Sequence, residues 1–86
     1  MKTNTYRPEV LAALARHGLM PGPGTSPARL REFLNDFYRR DLRRLRDRLV
    51  QREFPRREYA TRVTALRRRY PLLSLPVELW TIREGD

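Results

Sequence analysis

Hydrophobic residues recur at helical spacing in three stretches of the chain. In the first stretch, Val10 and Leu14 lie four positions apart, which places them on one face of a helix. Pro8 precedes them and suits the first position of a helix, and Gly18 follows as a residue that commonly ends one. The pattern predicts a first helix over about residues 8–17.

The second stretch predicts a long helix over about residues 27–52. Ser26 and Pro27 have the residue types of an N-cap and a first helical position, and no Gly or Pro follows until Pro55. The apolar positions form two groups whose directions differ by about 90° at about 100° per residue: Leu30, Phe33, Leu34 and Phe37, then Tyr38, Leu42, Leu45 and Leu49. Either this helix packs first on helix 1 and then on helix 3, or it bends near residues 39–41.

The third stretch predicts a helix over about residues 55–69. Tyr59, Val63, Leu66 and Tyr70 form a single apolar stripe, and Pro71 ends it. The short turn between the second and third helices predicts an antiparallel αα-hairpin. The fold class that we expect is therefore all-α, with three helices.

The end of the chain is its most apolar segment. It can start a helical turn at Pro76 or be extended over residues 77–84, and an extended strand would need a partner from another chain. Trp80 has two interpretations, a core residue or an anchor in a partner. The excess apolar surface favours an obligate partner or a homo-oligomer. The candidate apolar docking residues are Leu75, Val77, Leu79, Trp80 and Ile82.

Length and composition predict a single small cytoplasmic domain. The chain has 86 residues and no cysteine, which excludes disulfides and thiolate–metal sites. We expect no signal peptide and no membrane span, since no apolar run is long enough. The predicted parts are an N-terminal helix (1–18), a Pro/Gly linker (19–26), a basic helical hairpin (27–70) and an apolar tail (71–86).

Positive charge is concentrated in the middle of the chain. The formal net charge is +9, and residues 39–69 contain thirteen arginines against Asp41, Asp47, Glu53 and Glu58. We expect carboxylates on the second helix to form i, i+4 ion pairs such as Asp36–Arg40 and Asp47–Arg43. The remaining arginines repel one another unless an anion is close by.

The arginines of the second helix form two rows. The first row contains Arg39, Arg43 and Arg46, and the second row contains Arg40, Arg44 and Arg48. Guanidinium groups favour bidentate contacts with carboxylates or phosphates, so the sequence predicts an anionic partner. The candidate residues for binding it are Arg39, Arg40, Arg43, Arg44, Arg48, Arg52, Arg56 and Arg57.

Catalytic chemistry is not indicated by this sequence. The single histidine, His17, ends the first helix, where a cation is favoured by the helix dipole. No His or carboxylate cluster has the spacing of metal ligands, and prolines in the Gly-rich linker remove the N–H groups that a phosphate loop needs. We therefore expect no enzyme, metal site or cofactor.

A leucine-rich helix followed by a short turn and a second helix forms a recognisable motif over residues 42–67. Its residues are Leu42, Leu45, Leu49, Phe54, Pro55, Arg56, Arg57, Glu58, Tyr59, Val63 and Leu66. This motif resembles the short helical hairpin of SHOCT domains, in which a leucine-rich helix is followed by an aliphatic residue, a helix cap, two acidic residues and Glu-Phe. Here Arg52 replaces a usual Gly and Pro55 a usual Thr. The resemblance covers about 25 residues and implies an interaction module with no catalytic residue.

Two functions are consistent with these features. The first is a non-enzymatic adaptor or accessory subunit that docks its basic hairpin on an acidic protein surface. The alternative is a nucleic-acid-binding protein that contacts the phosphate backbone without reading sequence, because Asn35 and Gln51 are the only amide side chains in the predicted helices. A membrane-surface role is disfavoured, because the apolar stripes are used within the hairpin.

Overall fold

The computed structural model describes residues 5–82, and it is mainly helical. The helices are α1 (Pro8–Ala15), α2 (Pro27–Val50) and α3 (Tyr59–Arg67). Short 3-10 helices lie at Arg56–Glu58, Pro71–Ser74 and Val77–Leu79, and the strands are β1 (Thr5–Tyr6) and β2 (Thr81–Ile82). The all-α class with three helices is confirmed, apart from this small two-stranded sheet.

Helix α2 is continuous through residues 39–41. Its N-terminus is capped by Ser26, whose Oγ accepts a hydrogen bond from the Arg29 backbone N–H at 3.2 Å. The two directions of its apolar stripe match two sets of neighbours. One is α3, as expected, and the other is the pair of C-terminal 3-10 helices, of which the one at Pro71–Ser74 also contacts α1.

The third helix is shorter than the predicted 55–69. Pro55 is extended, with ψ 145°, and the chain then makes one 3-10 turn before α3 begins at Tyr59. Helices α2 and α3 form the expected antiparallel hairpin. We call residues 39–69 of this pair and its turn the distal hairpin.

The predicted apolar tail is instead folded back on the helices. Strand β2 pairs antiparallel with β1 of the same chain, with Thr5 opposite Ile82 and Tyr6 opposite Thr81. The expectation that a strand here needs another chain is therefore wrong, because the pattern gave no sign of β1. The part of the predicted tail after Ile82 lies outside the described residues.

Trp80 is the centre of this folded-back segment. Its side chain is fully buried, and its Nε1–H donates a hydrogen bond to the Leu75 carbonyl oxygen at 2.9 Å. Trp80 is thus a core residue, and its interpretation as an exposed anchor is wrong. The core that it joins also contains Tyr6, Val10, Ala13, Leu14, Leu30, Leu34, Leu45, Phe54, Leu66, Tyr70 and Leu72.

The described part of the molecule is elongated, at 53 × 20 × 16 Å. Polar contacts join the C-terminal segment to α2 at Arg31, which donates to the Leu73 carbonyl, and at Asp41, which accepts from the Tyr70 hydroxyl. Tyr70 also stacks on His17 at the end of α1, with ring centroids 4.5 Å apart. Arg69 lies at this junction, where its carbonyl oxygen is 2.8 Å from His17 Nε2, whereas the hairpin turn lies at the other end of α3.

Candidate anion-binding surface

The arginines of residues 39–69 are almost all on the surface. Arg62 is half-buried and the other twelve are exposed. The eight arginines predicted from the sequence to bind a partner are all exposed: Arg39, Arg40, Arg43, Arg44, Arg48, Arg52, Arg56 and Arg57. The fold therefore leaves these guanidinium groups accessible to a ligand.

Few of these charges are neutralised within residues 5–82. Arg48 Nε lies 3.4 Å from Glu53 Oε1, and Arg62 Nη2 lies 3.2 Å from Glu58 Oε1; no other ion pair forms in this part of the chain. The expected pairs Asp36–Arg40 and Asp47–Arg43 do not form. Exposed pairs of this kind contribute at most about 1 kcal/mol each, so the charge of the hairpin stays largely uncompensated.

The first arginine row lines a concave site between α2 and α3. Arg39, Arg43 and Arg46 surround it with Leu42 and Tyr59, and its volume is about 300 Å³. None of the three guanidinium groups makes an ion pair, hydrogen bond or ring contact within the described chain. This row is therefore fully available to an external anion.

Two of the three arginines in the second row contact aromatic rings of the same chain. The guanidinium carbon of Arg40 lies 5.2 Å from the centroid of the Phe37 ring, and that of Arg48 lies 5.7 Å from the Phe54 ring. Arg44 makes no such contact. The two rows are about 130° apart around the helix, so the positive surface covers a broad arc rather than one flat face.

The turn of the hairpin contains an arginine in an unusual backbone conformation. Arg52 has φ 58°, the left-handed region that favours glycine. Its N–H bonds to the Leu49 carbonyl and the next N–H, of Glu53, bonds to Arg48, both at 3.0 Å. This pair of bonds is a Schellman motif, which ends α2 and projects Arg52 at the hairpin turn.

An open concavity of about 820 Å³ adjoins this turn, and the sequence pattern did not predict it. Its lining is mixed: Leu49, Val50, Phe54 and Pro55 are apolar, and Arg52, Glu53 and Arg56 are charged. The Val50 side chain is 74% exposed. The sequence contained a sign of this feature: Val50 follows Arg46 by four positions, so an apolar residue continues the face of the first arginine row.

The five candidate apolar docking residues do not form one exposed surface. Trp80 is buried, whereas Leu75 and Val77 are partly buried against the core. Only Leu79 and Ile82 expose close to half of their side chains, at 48% and 47%. The apolar C-terminal segment mainly completes the core of this chain.

The polar side chains near the junction serve structure. His17 Nε2 lies 2.8 Å from the Arg69 carbonyl oxygen, which can only accept, so this nitrogen donates. Burial and the hydrogen bond to Asp41 raise the pKa of Tyr70 to about 12. Over residues 5–82, no three His or carboxylate side chains gather as metal ligands, and none of the helices is long and apolar enough to cross a membrane.

Comparison with known proteins identified no relative of this chain. No protein-family model, no curated protein and no solved structure matches this chain. The resemblance to SHOCT hairpins therefore stays a prediction from the residues that suggested it.

Proposed function

We propose that this protein is a non-enzymatic binding module that docks its distal hairpin on an acidic surface of another protein. One observation carries the proposal: of the thirteen arginines in residues 39–69, two form an ion pair with a carboxylate of the described chain. The interaction-module role implied by the SHOCT resemblance points in the same direction.

Uncompensated charge of one sign has an energetic cost that a partner relieves. Two like charges 4 Å apart repel by about 1 kcal/mol in bulk water and by about 4 kcal/mol near a protein surface. An acidic surface replaces this repulsion with attraction, and it also accelerates the encounter through long-range steering. Because arginine is always charged, the attraction does not depend on pH in the physiological range.

The hairpin turn favours a protein over a nucleic acid as the partner. Val50 is 74% exposed, directly after the arginines of the first row, and it lines an open concavity together with Leu49 and Phe54. A phosphate backbone supplies charge to arginines but no apolar side chain to contact these residues. Protein interfaces commonly combine an apolar contact with a charged rim, which is the combination found here.

Affinity capture tests this proposal. The full chain, immobilised and incubated with extract of its native host, is washed after nuclease treatment, and bound material is eluted with increasing salt. We expect a defined complex with a protein of acidic isoelectric point that survives the nuclease and is released by salt, as charge-driven docking requires.

The alternative, backbone binding of nucleic acid, gives a different result in the same experiment. Material that absorbs at 260 nm and disappears on nuclease treatment would replace our proposal with that alternative. A nuclease-resistant partner that resists elution by salt would also contradict the proposal, since an apolar interface would then dominate the binding.

A further inference from the structure

The two arginine rows of α2 differ in the number of contacts that their guanidinium groups make with other side chains of this chain. In the second row, Arg40 lies over Phe37, and Arg48 pairs with Glu53 and lies over Phe54. The first row has no such contact with the described chain, although its side chains line a pocket. Charged groups gathered around a concavity without an internal partner indicate a site for a ligand.

The geometry of the first row brings its three charges to one place. Arg39, Arg43 and Arg46 follow one another at i, i+4 and i+7, which separates neighbouring Cβ atoms by about 5–6 Å. Tyr59, on the first turn of α3, lines this open site from the opposite helix, and its hydroxyl has no hydrogen-bond partner within residues 5–82. Leu42 forms the apolar lining between the two helices.

We propose that this pocket binds a phosphate monoester group, presented as a phosphorylated side chain of the partner protein. The inference rests on the proposed function, because it names the group that the partner inserts between α2 and α3. Three arginines on α2 and one tyrosine on α3, all with side chains that can donate hydrogen bonds, line a concavity of about 300 Å³.

The number of cations selects this group over a carboxylate. A carboxylate carries one charge and two oxygens, which one bidentate arginine already satisfies. A phosphate monoester carries a charge of about −1.5 to −2 at pH 7 and three terminal oxygens, which match three arginines. A phosphodiester, as in nucleic acid, has one charge and two terminal oxygens, so it would leave part of the positive charge of the three arginines unmatched.

Titration with small probes tests the inference on the full chain. Chemical shifts are followed by NMR in chloride buffer while N-acetyl-phosphoserine amide is added, and the titration is repeated with N-acetyl-aspartate amide and with dimethyl phosphate. We expect saturable binding of the phosphoserine probe with a dissociation constant on the order of millimolar. The other two probes should bind about tenfold more weakly.

Two matched variants show whether the pocket itself is responsible. Arg43→Gln removes one charge from the pocket, and Arg67→Gln removes one charge from an exposed site on α3 that is outside it. We expect about a tenfold loss of phosphoserine affinity for Arg43→Gln and no loss for Arg67→Gln. Tyr59→Phe, with about a threefold loss, provides a second variant if Arg43→Gln does not fold.

Equal losses in Arg43→Gln and Arg67→Gln would overturn the inference, because a diffuse positive field would then explain the binding. Equal affinity for the aspartate and phosphoserine probes would overturn it as well. Neither result affects capture of an acidic protein by the rest of the hairpin. Phosphate binding in the pocket can therefore be disproved while the proposed docking on an acidic protein still holds. Docking is measured separately, as the amount of acidic protein captured.

Discussion

At the scale of single residues, Trp80 makes the clearest link between sequence and stability. Its ring is fully buried in the core cluster to which α1 and α2 also contribute, and its N–H donates a hydrogen bond to the Leu75 carbonyl. A residue that appears in sequence to belong to a loose apolar end is therefore central to the core. In a domain of this size, where net stability is only about 5–10 kcal/mol, one such residue has a large effect.

Trp80→Phe should lower the free energy of unfolding by about 1–3 kcal/mol, because the ring is smaller and the Leu75 carbonyl loses its donor. The measurement is urea unfolding followed by circular dichroism. Leu79→Ala is the neighbouring control, since Leu79 is 48% exposed, and should change stability by less than about 1 kcal/mol. Equal effects of the two substitutions would contradict the position of Trp80 in the core.

Tyr70 makes a second prediction at this scale, which concerns pH. Its pKa is raised to about 12 from an ordinary 10.0, by burial first and by the hydrogen bond to Asp41 second. The folded protein therefore favours the protonated phenol. The resulting stability is fully present below pH 10 and is lost as the pH rises from 10 towards 12.

Tyr70→Phe should lower the free energy of unfolding by about 1–3 kcal/mol at pH 7, through loss of the hydrogen bond to a carboxylate. It should also make the loss of stability between pH 10 and pH 12 smaller. Some loss remains from Tyr6, whose pKa is raised by burial. Urea unfolding at a series of pH values measures both effects, and an unchanged pH profile in the variant would disprove the assignment to Tyr70.

At the scale of elements, the end of α2 combines a helix stop with an exposed charge. Arg52 occupies the left-handed position of a Schellman motif, where glycine is the usual residue because it has no Cβ. An arginine there lowers stability relative to glycine. The charge that it adds at the hairpin turn fits a surface used for binding.

Arg52→Gly should raise the free energy of unfolding by about 1 kcal/mol, since glycine adopts positive φ without strain. Arg52→Ala removes the same charge but keeps the strain, so it should not show this gain. Thermal and urea unfolding of the two variants separate conformation from charge. A gain of equal size in both would mean that charge repulsion, rather than the backbone, sets the cost.

The helices were predictable because apolar spacing and Pro or Gly residues define them. Pro8, Ser26 and Pro27 begin helices where expected, and the stripe of Leu42, Leu45 and Leu49 selects the hairpin pairing. The β1–β2 pair was not predictable, since a strand of two residues has no measurable periodicity. Because that strand pairing was not predicted, the folding of the C-terminal segment back onto the same chain was not predicted either.

The candidate site was predictable in composition but not in arrangement. Residue spacing placed the arginine rows on α2, yet it could not show that the first row lines a pocket shared with Tyr59 of another helix. The expected ion pairs Asp36–Arg40 and Asp47–Arg43 do not form, because exposed pairs gain too little to fix two side chains. Asp41, by contrast, accepts the hydrogen bond from Tyr70, so tertiary contacts also decide which charges remain available.

At the scale of the whole molecule, the buried core extends from Trp80 into the distal hairpin, where it includes Leu45, Phe54 and Leu66. Twelve of the thirteen arginines of the distal hairpin and Val50 near its turn stay exposed around that core. An elongated shape of 53 × 20 × 16 Å gives this small domain a large surface for docking. Stability and binding can therefore be changed by different residues, which makes the account testable with charge variants.

The most direct test compares two double variants that each remove two positive charges. Arg56→Gln with Arg57→Gln changes the distal hairpin near its turn, and Arg16→Gln with Arg29→Gln changes exposed arginines outside the distal hairpin. The measurement is the amount of acidic partner protein captured after nuclease treatment, at matched ionic strength and with helical content checked by circular dichroism. The account predicts that the hairpin variant loses capture by about tenfold while the control retains it; equal capture by the two would contradict it.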